Sequence, residues 1–188
     1  MKLDAYDPEG FYDELFETVG KPRPRANLLV QNLESMPEGE LARRQLAAEK
    51  ALFDLGITFN VYNNQAGLER IFPFDVLPRI IEAMEWDFIE RGLKQRIQAL
   101  NLFLDDIYHD QRILKAGIVP PEFILGNEHF QPAMQGLDLP NRIYAQISGV
   151  DIVRHSDGTY YVLEDNLRTP SGVSYMLENR AMTERLFP

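Results

Sequence analysis

Two stretches of the chain carry clear hydrophobic patterns. In the first, Trp86, Ile89, Leu93, Ile97, Leu100, Leu104 and Ile107 recur at spacings of three and four. That period predicts an amphipathic helix from about Glu82 or Glu85 to Tyr108, one face packed into a core. Arg91, Lys94 and Arg96 fall on its solvated side. In the second, Ile143–Val153 is rich in β-branched and aromatic residues, Ser156-Asp157-Gly158 is a tight-turn signal, and Thr159–Glu164 resumes the alternation. A β-hairpin is expected there.

The remaining elements are shorter. Phe11–Thr18 reads as a short acidic, aromatic helix ended by Gly20 and Pro22, with Arg23 and Arg25 in an extended, proline-rich linker, read as solvated rather than as reaching an anion. Pro37–Leu55 predicts a helix started by Ser35 or Pro37. Glu38 and Glu40 favour the positive end of its dipole, and Gly56 follows its C-terminus. Its apolar face is uneven, made of Leu41, Leu46 or Gln45, Ala48 and Leu52. Ile57–Tyr62 predicts a strand turned by Asn63-Asn64, and Pro73 and Pro78 make 71–79 a connector. Gln111–Gly117 predicts a short helix, Glu122–Leu125 a strand, Asn127–Leu139 a loop, and Ser174–Leu186 a final helix with Ser174 as N-cap. The fold class is therefore mixed α/β (α+β): helices packed on a sheet, with a C-terminal hairpin and helix.

Composition narrows the function classes. The chain has 188 residues, 45% of them hydrophobic, which suffices for a core. A net charge of −10 disfavours non-specific nucleic-acid binding. No apolar run approaches a membrane span, and the N-terminus lacks a signal-peptide apolar region. Cysteine is absent, which removes thiolate metal sites and disulfides and is compatible with a cytoplasmic location. There is no glycine-rich phosphate loop and no dinucleotide fingerprint. His109 beside Asp110 is not read as a catalytic pair, because adjacent residues on a helix do not face each other.

The chemistry gathers at the end of the hairpin. Residues two apart on a strand share a face, so Glu164 and Asn166 point one way and Asp165 the other. A carboxylate and an amide are hard oxygen donors suited to Mg²⁺. Asp151 lies on the partner strand. Arg168 can pair with phosphate or carboxylate oxygens, and Pro170-Ser171-Gly172 offers a bend with backbone N–H groups and a hydroxyl. The competing reading is that acids and amides at strand ends only cap turns or sit in water. Arg180, on the final helix, can equally pair with Glu178 or Glu184.

The run YYVLEDNLRTPSGVSYMLENR, residues 160–180, closely resembles the circularly permuted ATP-grasp proteins of bacteria, type 2 group, distantly related to glutathionylspermidine synthases. YDELFE (12–17), ITFNVYNN (57–64), FPFDVLPRII (72–81), ERGLKQRIQALNLFLDDIYHDQ (90–111) and PPEFILGN (120–127) extend the resemblance over most of the chain. It implies ATP and Mg²⁺ as cofactors, with Glu164 and Asn166 as metal ligands and Asp151 as a third. Arg168 would be the catalytic arginine, facing phosphate or substrate carboxylate, with Ser171, Gly172 and Arg180 toward substrate. The implied reaction makes an acyl-phosphate that an amine displaces, an ATP-dependent carboxylate–amine ligation on peptide-like substrates. The lysines present match no nucleotide-clamping pattern. The chain is therefore expected to be the N-terminal portion of a longer protein, with the remaining ATP-grasp region as its partner and little ATP binding alone. An N-terminal α/β region, 1–140, would precede a hairpin-and-helix region, 141–188. The alternatives are a catalytically inactive binding or scaffold module and a metal-dependent hydrolase, for which no nucleophile is evident.

Overall fold

The computed structural model describes residues 3–60 and 69–187. Helices and short sheets are mixed throughout, an α+β arrangement. Among the described residues, the expected single sheet is instead three two-stranded pieces. The chain divides into two compact units: residues 1–82, 154–159 and 171–188 form one, and residues 83–153 and 160–170 the other. Among the described residues no helix is long and apolar enough to cross a membrane.

The N-terminal unit begins with β1 (Phe16–Thr18) paired antiparallel with β2 (Lys21–Pro22). A helix was expected over 11–18, and the acid responsible for the difference is Asp13. Its Oδ1 accepts the backbone N–H groups of Leu15 at 2.8 Å and Phe16 at 2.7 Å, a local bond that competes with helix formation. The Tyr6 hydroxyl donates to its other oxygen at 2.9 Å, which holds the Tyr6 pKa above the usual tyrosine range. Because folding raises that pKa, the stabilisation is complete below the unfolded value and lost as pH rises through the folded one. Asp13→Ala is expected to lower the Tyr6 pKa, leaving only the smaller upward effects of burial and of Glu9 and Glu14. It should also cost about 1–3 kcal/mol, because Phe16 is buried and its N–H loses its acceptor. Spectroscopic titration and urea unfolding read the two effects.

The proline-rich linker is also corrected. Pro24–Ala26 forms a 3₁₀ turn that runs into α1 (Asn27–Ser35). Ala26, Val30 and Leu33, spaced four and three, are the buried face that the prolines obscured. Arg23 and Arg25 are not solvated linker residues. The Arg25 side chain is 11% exposed, donates to the Tyr12 hydroxyl at 2.6 Å and lies 3.6 Å from Glu82. Arg23 donates to the Asp13 carbonyl, and its guanidinium lies over the Tyr12 ring. Arg154, at the hairpin tip, lies 3.8 Å from the same ring centre. Cation–π contacts of this kind anchor the turn at 154–159 within the unit.

Helix α2 (Glu40–Asp54) starts after Gly39. It buries Ala48 and Leu52 against Phe74, Val76 and Met182, the last from α6 (Val173–Leu186). The ambiguity between positions 45 and 46 resolves by hydrogen bonding. Gln45 donates to the Phe74 carbonyl at 2.6 Å and accepts from the Val76 N–H at 3.0 Å, while Leu46 is exposed. β3 (Thr58–Asn60) pairs antiparallel with β4 (Glu69–Ile71). The expected end of that strand and the Asn63-Asn64 turn lie outside the described residues.

The second unit is built on α3 (Ala83–Tyr108), close to the predicted span. Tyr108 stacks on Phe130 and Tyr144 at 5.1 and 5.7 Å between ring centres. Asn101 holds the following loop by accepting the N–H groups of Tyr144 and Ala145. α4 (Arg112–Lys115) forms as expected; Asp106 accepts the N–H groups of Arg112 and Ile113 at its start. The expected strand at 122–125 is instead a short helix, α5 (Pro121–Leu125), because Pro121 occupies the first helical position, where a missing N–H costs nothing. β5 (Gly149–Arg154) and β6 (Tyr160–Asn166) are neighbours in the third sheet.

Candidate metal and anion site

β6 remains extended through Asn166. Glu164 and Asn166 therefore lie two apart on one strand, although the burial alternation of β6 holds only to Leu163. Glu164 is exposed and Asn166 half-buried; Asp151 is exposed in the middle of β5. Gly149, at the start of β5, lies against the end of β6. A Cβ added there would stand 3.1 Å from Pro170 Cβ and 3.6 Å from Asn166 Cβ. The missing side chain relieves a tight approach to Pro170.

Asp165, between the two candidate ligands, is fully engaged. Arg96 of α3 donates from Nε to both carboxylate oxygens at 2.8 and 2.9 Å, and from Nη2 to Oδ2 at 2.6 Å. This charge-assisted fork holds the Asp165 carboxyl below the usual carboxylate range and raises the Arg96 guanidinium further above its own. Arg96 is thus not simply one of the solvated charges of α3. Arg96 shares one side of α3 with Ile89, Gly92 and Ala99. With Ile152 and Val162 of the hairpin they line an open, mostly apolar groove of about 620 Å³.

Arg168 follows β6 and is exposed. The remaining expected site residues, Ser171, Gly172 and Arg180, belong to the N-terminal unit. Gly172 rather than Ser174 is the N-cap of α6. Its φ of 92° is open to glycine at little cost, and its carbonyl accepts the Met176 N–H at 2.9 Å. Arg180 donates to Glu184 at 2.8 Å, one of the two intrahelical pairings foreseen for it. His109 contacts the Asp105 carbonyl at 2.9 Å through Nδ1.

Among the described residues, no three histidine, aspartate or glutamate side chains are gathered so as to hold a metal by themselves. Asp151, Glu164 and Asn166 comprise two carboxylates and an amide. Mg²⁺ characteristically takes one or two carboxylates and completes its shell with water and substrate phosphates. Donors of that kind would suit Mg²⁺ in the company of a phosphorylated ligand better than a closed, all-protein metal cage.

Residues 78–188 match the family described as "A circularly permuted ATPgrasp". An uncharacterized protein of Synechocystis sp. is 48% identical over 188 residues, covering all of this chain and 39% of the relative. One from Mycobacterium tuberculosis is 42% identical over 177 residues, 94% of this chain and 31% of the relative. A Frankia alni protein named "Putative glutamate--cysteine ligase 2-3" is 40% identical over 189 residues, 99% of this chain and 21% of the relative. The chain thus spans between 21% and 39% of the length of these relatives.

Proposed function

The chain belongs to the circularly permuted ATP-grasp family, and on that premise we propose that it forms part of an ATP-dependent carboxylate–amine ligase. The observation that carries the reading is the end of β6. Two oxygen-donor side chains stand two apart on one unbroken strand, and the acid between them is occupied by Arg96. Glu164 and Asn166, with Asp151, would hold Mg²⁺ together with the nucleotide phosphates. When bound, the cation supplies charge neutralisation during phosphoryl transfer.

The protein's own groups then have separable tasks. Arg168, exposed and next to the ligands, binds oxyanions of phosphate or substrate carboxylate. Ser171 and the backbone N–H groups after Gly172 open α6 and favour an anionic substrate group. Arg180 serves substrate only by leaving Glu184, so its part is secondary. The substrate class includes amino-acid carboxylates and amines. The name carried by the Frankia relative puts glutamate and cysteine first in a screen, and the more distant likeness to glutathionylspermidine synthases adds peptide carboxylates and polyamines.

The test is ADP release by the full-length protein with Mg²⁺, ATP and a panel of carboxylates and amines. Release that requires both a carboxylate and an amine is expected. Peptide cleavage without ATP would replace the reading with hydrolysis. Nucleotide binding with no turnover across the panel would replace it with an inactive binding module.

A further inference from the structure

The geometry points to Arg96 as a positioning residue for the Glu164–Asn166 pair, acting through Asp165; this rests on the reading of those two residues as metal ligands. Pairing with β5 restrains the backbone of β6, and a fixed side chain at its end restrains the neighbouring side-chain directions further. Here the fixing side chain is the middle residue of the tripeptide. Three hydrogen bonds from a planar guanidinium define both the distance and the orientation of the Asp165 carboxylate. The Cα–Cβ vectors on either side follow from the same backbone. Arg96 is itself carried on a helix of 26 residues, a rigid support. The Asp165 side chain is 14% exposed and that of Arg96 44%, so the acid is partly shielded while the guanidinium side of the fork meets water.

A second support acts on the same residues. The start of β5 runs beside the same residues: a Cβ on Gly149 would stand 3.1 Å from Pro170 Cβ and 3.6 Å from Asn166 Cβ. Asn166 thus has the backbone of Gly149 beside it, and its preceding residue is pinned by charge. Glu164 has no such support among the described residues and is exposed. Its direction depends on how firmly the neighbouring Asp165 is held. Removing a group that orients a metal ligand from outside the coordination shell characteristically weakens metal affinity about 10- to 100-fold.

The experiment uses the full-length protein with Mn²⁺ as probe, titrated by electron paramagnetic resonance in the presence of ADP, for wild type, Arg96→Ala, Arg96→Lys and Glu164→Gln. Hydrogen exchange of the 160–170 segment is followed in the absence of metal. Arg96→Ala is expected to weaken Mn²⁺ binding about 10-fold or more and to accelerate exchange in 160–170. Arg96→Lys, which keeps the charge without the fork, should fall between it and wild type, and it carries the test if the alanine variant does not fold. Mn²⁺ affinity within about twofold of wild type in a folded Arg96→Ala overturns the inference, even if its melting temperature drops, because a merely structural pair would lower stability alone. If Glu164→Gln binds Mn²⁺ like wild type, the ligand assignment itself fails. Unchanged exchange in Arg96→Ala would then overturn the positioning role independently.

Discussion

Leu52→Ala is expected to lower the stability of the N-terminal unit by about 2–5 kcal/mol. Leu52 is fully buried on α2, in a cluster with Ala48, Phe74, Val76 and Met182. Truncation removes its transfer free energy and leaves a cavity whose walls come from three separate stretches of chain. Those walls cannot all relax inward together. In a chain of this size the loss corresponds to roughly 5–15 °C in melting temperature. The control lies on the same helix: Leu46 is 65% exposed, and Leu46→Ala should change stability by no more than about 0.5 kcal/mol. Urea unfolding of both variants checks the contrast. Equal effects would mean that the packing around Leu52 is not as described.

Glu164→Gln is expected to reduce ADP release by the full-length protein more than about 100-fold and to raise the Mg²⁺ concentration needed for half-maximal rate. The substitution conserves shape and removes one negative charge. A cation held by only two protein carboxylates loses half of that charge when one is neutralised. The exposed position of Glu164 makes the change cheap for folding, so the melting temperature should move little. Activity within a few-fold of wild type, at unchanged Mg²⁺ dependence, would overturn the proposed role of Glu164 as a metal ligand. At 25 °C a 100-fold loss corresponds to about 2.7 kcal/mol of transition-state stabilisation.

Periodicity made the long elements legible. α3 emerged at nearly its full extent because seven apolar residues repeat over a length that no strand reaches. The hairpin emerged because a glycine-bearing turn separates two alternating runs. What sequence reasoning missed was decided by single residues acting on their neighbours. Asp13 diverted 11–18 from helix to strand through its own backbone bonds. Pro121 turned a β-rich tetrapeptide into a helical turn by taking its first position. Arg23 and Arg25 looked like solvent-facing charges because nothing local reveals that Tyr12, more than ten residues earlier, lies within their reach.

The candidate site shows the same division. Glu164 and Asn166 could be proposed as a pair from their spacing, since a strand imposes its own geometry on residues two apart, while Arg168, beyond the end of β6, was proposed mainly through the family resemblance. The partner of Asp165 could not. Arg96 lies 69 residues earlier, and only the return of the chain toward α3 brings the two together. Gly149 was unremarkable in the sequence for the same reason: its role is defined by Asn166 and Pro170, which are remote from it in the chain.

The two units interleave along the polypeptide, with junctions at 82/83, 153/154, 159/160 and 170/171. Neither is a continuous segment, so no single cut liberates one of them whole. A truncation after residue 82 would strip the N-terminal unit of Met182, which contributes to the cluster around Leu52. Gene fusions, circular permutants and split-protein reporters built on this scaffold should therefore place their breakpoints within surface loops of one unit rather than at the junctions between them.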